Sequence, residues 1–66
     1  MTFSAGTVYS DGGCLLLTLL DVTPRSIGYE ARNTDTGGFC HLRASHAEMT
    51  DLLISGGWYA VPQVEA

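Results

Sequence analysis

CLLLTLLDV, Cys14 to Val22, places five leucines within seven consecutive positions of a 66-residue chain. Asp21 interrupts the run well short of the ~20 apolar residues a transmembrane helix needs, so it reads as buried protein rather than membrane. In an extended strand, Leu16 and Leu20 point to one side while Leu15, Leu17 and Leu19 point to the other. A strand apolar on both sides needs cover on both. One face can take a helix, which leaves three solutions for the other: the sheet curls until it closes, the Trp58 strand and Phe3 fold over it, or another protein covers it.

Outward from this run the chain divides into short segments. GTVY, then SDGG, then the leucine run reads as a hairpin whose Asp and Gly residues tolerate turn geometry. Pro24 in DVTPRS has no amide hydrogen and turns the chain. SIGYEAR alternates Ile27, Tyr29 and Ala31 with Gly28, Glu30 and Arg32, the period of a strand with one buried face. NTDTGG and FCHLR complete a second hairpin.

SHAEMTDLLISGG carries a helix with both ends marked. Ser45 can cap the first amides, Glu48 can reach back to the Ser45 amide, and Gly56 is expected to end the helix in a left-handed conformation. The spacing predicts a helix over His46 to Ser55, with Met49, Leu52 and Leu53 on its apolar stripe. WYAV then reads as a short last strand stopped by Pro62, and QVEA as a frayed tail. The predicted fold is α+β: one domain, residues 1–66, with a twisted antiparallel sheet of four to five strands and one helix packed on one face.

Composition narrows the function. Forty-five per cent hydrophobic residues and few charges argue for a folded chain rather than a disordered one. Seven acids face three arginines and no lysine, giving a net charge of −4. Direct nucleic-acid binding is disfavoured, because that affinity rests on Lys and Arg neutralising phosphates. The same balance suits a basic partner. With no basic start before the leucines and no signal-peptide layout, a cytosolic chain without membrane association is expected.

No residue set points to catalysis. Cys14, Cys40, His41 and His46 lack the paired spacing that puts two ligands on a zinc ion, so no metal is expected. Cys40 and His41 point to opposite faces of a strand and cannot pair; Cys40 is expected in the core and His41 in solvent. A Cys14–Cys40 disulfide would need neighbouring strands and runs against a reducing compartment. His46 at the helix start is expected to be exposed and neutral. The pairs Gly12–Gly13, Gly37–Gly38 and Gly56–Gly57 match no phosphate loop, and no cofactor is expected.

What remains is surface. Asp11 and Asp35 fall at turn tips, Glu30 on the polar side of its strand, and Glu48 and Asp51 on the helix flank. Such carboxylates ordinarily serve solvation; converging into one patch, they would instead engage a partner's arginines and lysines. In size, acidity, single helix on a strand-rich domain and lack of catalytic residues, the chain resembles the small phage-encoded anti-CRISPR inhibitors of type I effector complexes. That resemblance rests on no shared motif and transfers no residue roles. It implies binding to a Cas effector subunit at its basic DNA-binding or PAM-reading surface, with carboxylates standing in for phosphates as a local DNA mimic.

The leading expectation is therefore a non-enzymatic inhibitor, monomer or homodimer, that contacts a basic protein surface through Asp11, Glu30, Asp35, Glu48 and Asp51. The alternative is a small assembly module dimerising through Leu15, Leu17 and Leu19. A small-ligand sensor or minor enzyme stays open as a third class.

Overall fold

A computed structural model describes residues 2–62; the expected tail, 63–66, lies outside the described residues. The strands are β1 (Val8–Ser10), β2 (Leu15–Val22), β3 (Ile27–Asn33), β4 (Phe39–Ala44) and β5 (Tyr59–Ala60), with α1 (His46–Ser55) between β4 and β5. They form one open antiparallel sheet in the order β4-β3-β2-β1-β5. The α+β fold is the predicted one. The sheet does not close on itself, which corrects the curled solution considered above.

Local chemistry sets each junction. In the β1–β2 turn the Asp11 carboxylate accepts from the Gly13 amide at 2.8 Å, and the Ser10 hydroxyl accepts from the Gly12 amide at 3.0 Å. Between β2 and β3, the Thr23 hydroxyl accepts from the Ser26 amide and donates to the Ser26 carbonyl, each at 3.0 Å. Asn33 closes the β3–β4 turn, its side-chain oxygen accepting from the Asp35 and Thr36 amides. The two turns at this end are tied together, since the Thr34 amide and hydroxyl both donate to the Cys14 carbonyl.

The helix starts at a full capping box: the Glu48 amide donates to the Ser45 hydroxyl at 3.1 Å and the Ser45 amide to the Glu48 carboxylate at 3.2 Å. Its C-terminus departs from expectation. Gly56 stays helical at φ −88°, and it is Gly57, at φ +65°, that adopts the left-handed conformation. The Gly57 amide donates to the Ile54 carbonyl and the Trp58 amide to the Leu53 carbonyl. This paired closure needs its left-handed residue one step beyond the cap, so the second glycine takes the role.

One irregularity in β2 decides which residues go inside. Plain alternation from Leu17 and Leu19 would carry Asp21 into the core and Val22 out of it. The register slips between Leu19 and Asp21: Leu19 pairs with Tyr29, but Asp21 pairs with Gly28 and Val22 with Ile27. Leu20 is the extra residue of a β-bulge, and it is exposed. The bulge turns Asp21 to the face away from the helix and returns Val22 to the core side.

The core is Phe3, Leu17, Leu19, Ile27, Met49 and Leu53, with Tyr9, Val22, Tyr29, Ala31, Ala44 and Trp58 packed around it. Phe3 and Trp58 both join the helix side, so neither covers the second face of the sheet. That face needs less cover than the leucines alone imply, because the strands beside β2 supply polar neighbours: Thr18 pairs with Glu30, Leu16 with Arg32, and Gly28 with Arg43. Dimerisation through Leu15, Leu17 and Leu19 is corrected as well, since Leu17 and Leu19 are sealed at 2% and 1% exposure.

Candidate functional site: a groove between the helix and the open sheet edge

The five acids picked from the sequence occupy three places. Asp11 and Asp35 sit in the two linked turns at one end of the sheet. Glu30 lies on the face opposite the helix, where register places it between Thr18 and His41. Glu48 and Asp51 lie on α1. The fold brings Glu48 and Asp51 together but does not gather all five into one patch, because a strand, two turns and a helix point them in different directions.

They also differ in what already engages them. Glu30 is held by Arg32, with Oε1 2.7 Å from the guanidinium, and Arg32 in turn lies over the Phe39 ring, 5.0 Å from its centroid. Asp21 is held by Arg43 through both carboxylate oxygens at 3.0 Å. This second pair closes directly over Gly28, where a Cβ would overlap the Asp21 carboxylate. The Asp11 carboxylate shapes its own turn, and Glu48 completes the capping box. Among the described residues, the carboxylates of Asp35 and Asp51 have no partner. Two of the three arginines thus neutralise the open face, and among the described residues the carboxylates without an arginine partner lie at the turn end and along the helix flank.

Beside Glu48 and Asp51 the surface is concave. A shallow groove of about 460 Å³ between α1 and β4 is lined by Tyr29, Arg43, Ala44, Glu48, Asp51, Leu52 and Ser55. It adjoins an apolar cleft of about 140 Å³ whose walls include Leu15, Ala31, Leu42, Leu52 and Trp58. Leu15, Leu42 and Leu52 remain 38%, 48% and 40% exposed. Leu52, which the helical stripe placed in the core, is instead the groove's wall, because a ten-residue helix covers only part of a five-stranded sheet. The cleft by itself is smaller than the ~300–1,000 Å³ typical of small-molecule sites. Sequence reasoning missed Tyr29, Leu42 and Trp58 as site residues; the signal available was apolar side chains near an edge strand.

Electrostatics at the groove follow from position. Burial pushes the Tyr29 hydroxyl above its ordinary value, and the nearby Cys40 and Glu48 push the same way, so Tyr29 stays neutral at physiological pH. The bond from the Ser45 amide, then that with the Ser45 hydroxyl, hold the Glu48 carboxyl below its ordinary value. A depressed carboxylate contributes stability above its unfolded-state pKa and loses it as pH falls through the folded value. Melting temperature is therefore expected to drop as pH falls below the ordinary Glu range of about 4.3, and Glu48→Gln should show a shallower acid limb in the same thermal melts.

The remaining polar candidates are placed as follows. Cys40 is exposed, not in the core, because β4 is an edge strand beyond the helix's reach. Both cysteines are free: Cys14 lies just before β2 and Cys40 on β4, with β3 between, so they are not the neighbours a disulfide requires. His41 is exposed beside Phe39, with ring centroids 5.7 Å apart. His46 is only half-exposed: its Nε2 lies 2.6 Å from the Thr23 carbonyl and its ring meets Phe3 edge-on. A carbonyl only accepts, so Nε2 carries a proton. Among the described residues, no group of three or more His, Cys, Asp or Glu side chains is placed to hold a metal ion, and no helix is long and apolar enough to cross a membrane.

Compared with known proteins, the chain matches no family model, no curated protein and no solved structure.

Proposed function

We propose that this chain is a non-enzymatic protein inhibitor that binds a basic, nucleic-acid-handling surface of a partner. The observation that carries the reading is the groove between α1 and β4, where exposed apolar walls adjoin the Glu48 and Asp51 carboxylates. An apolar anchor from the partner would fill the cleft while its flanking Lys or Arg side chains meet the carboxylate rim, the usual division between core and rim of an interface. Asp11, Glu30 and Asp35 stand away from this groove; Asp11 and Asp35 contribute through long-range attraction, whereas Glu30 is offset by Arg32. In the specific form implied by the anti-CRISPR resemblance, the partner is a type I effector subunit in the bacterial cytoplasm, and the inhibitor occupies arginines that otherwise hold DNA phosphates.

The test is a DNA-binding titration of a purified type I effector complex with and without the protein. The expected result is weaker DNA binding in its presence, relieved by added salt and relieved roughly tenfold, equivalent to ~1.4 kcal/mol, by Asp51→Arg. Asp51 is the informative position because, unlike Glu48, it takes no part in the helix cap. Unchanged DNA binding would remove the effector complex as partner, and equal inhibition by wild type and Asp51→Arg would remove the groove as the contact.

A further inference from the structure

The sheet has two edges, and they differ. One is β5, two residues long and closely followed by Pro62, a short edge of the kind that discourages pairing. The other is β4, six residues with five of them exposed. It carries no proline, no lysine and no bulge, the devices that ordinarily blunt an edge. It also exposes Phe39 at 60% and Leu42 at 48%.

We infer that β4 pairs with β4 of a second copy of this chain, antiparallel about a two-fold axis at His41, joining two sheets into one of ten strands. The hydrogen-bonding parity allows this register. The Asn33 amide donates to the Gly38 carbonyl, and residues of an antiparallel strand alternate between facing one neighbour and the other. Cys40, Leu42 and Ala44 therefore bond toward β3, while Phe39, His41 and Arg43 direct their amides and carbonyls outward. Pairing about His41 sets His41 against its own copy and Phe39 against Arg43 of the second copy, so every outward backbone group along the strand meets a partner.

The side chains agree with that register. On the face away from the helix, Phe39 comes against the aliphatic stem of the copy's Arg43, whose guanidinium stays with Asp21 and Ser26. On the helix face, Leu42 comes to lie against Cys40 of the copy, covering apolar surface that is exposed in the single chain. Charge permits the approach: β4 holds no acid and one arginine, so two chains of net charge −4 meet at a segment free of carboxylates. The inference goes beyond the inhibitor reading and stands whether or not that reading holds.

Sedimentation velocity of the full chain, from low micromolar to millimolar concentration, is expected to show a monomer–dimer equilibrium. Leu42→Lys should weaken the dimer at least tenfold with an unchanged circular dichroism spectrum, and Tyr59→Lys at the other edge should leave it intact. Hydrogen-bonded antiparallel pairs hold their Cα atoms about 5.5 Å apart, within disulfide reach. With Cys14 and Cys40 replaced by serine, His41→Cys should thus give a covalent dimer under an added oxidant, and Tyr59→Cys should not. A monomer at every concentration, or equal cross-linking at both edges, would overturn the inference.

Discussion

Met49→Ala is expected to cost about 2–5 kcal/mol, the range for emptying a fully buried long side chain. Met49 has no exposed surface and lies in one cluster with Phe3, Leu17, Leu19, Ile27 and Leu53. It belongs to α1, so its truncation loosens the seat of the helix on that face of the sheet. A domain of 66 residues has about 3–10 kcal/mol of total stability at ordinary per-residue values, so the substitution removes a large share of it. Each kcal/mol shifts the melting temperature of a domain this size by about 4–8 °C, which a thermal melt resolves easily. Leu52→Ala on the same helix should cost far less, because Leu52 is 40% exposed. Equal melts for the two variants would mean that the helix does not seat on the sheet through Met49.

Phe3→Ala is the second large effect, at about 3–5 kcal/mol. Phe3 precedes the first strand and has no regular structure of its own, yet it is only 8% exposed and meets His46 edge-on. The backbone after it is anchored: the Gly6 amide donates to the Leu19 carbonyl at 2.7 Å, and the Leu19 amide to the Thr7 carbonyl at 2.9 Å. The N-terminal segment thus closes the core where the helix starts. Removing residues 1–6, which also takes away the Gly6 anchor, should destabilise the domain at least as much as the point substitution, measured by urea unfolding. A truncated chain with wild-type stability would show that Phe3 is an ornament on the core rather than a member of it.

The candidate site was only partly legible beforehand. Glu48 and Asp51 could be put on one helix flank because they are three residues apart on a helix whose ends are marked chemically. The groove beside them could not be read from sequence, because it is the space left when a short helix seats over Met49 and Leu53 and leaves Leu42 and Leu15 uncovered. The fate of Glu30 was equally hidden: its neutralisation depends on Arg32, two positions along the same strand face, turning toward it while lying over Phe39 of the next strand. The carboxylates have intrinsic charge, but their availability is a property of neighbours.

Composition and spacing by themselves specified the two hairpins, the capped helix from His46 to Ser55, and the inward side of β3. Those features rest on turn chemistry, cap hydrogen bonds and the two-residue period, all local to a few residues. Tertiary structure decided the rest. It kept Asp21 out of the core and returned Val22 to it, through a bulge at Leu20 that only pairing with β3 can define; it drew Phe3 and Trp58 to the helix side; and it left β4 as an open edge. Each of these depends on contacts between segments distant in the chain, where the free energy of packing and strand pairing outweighs what any single segment prefers alone.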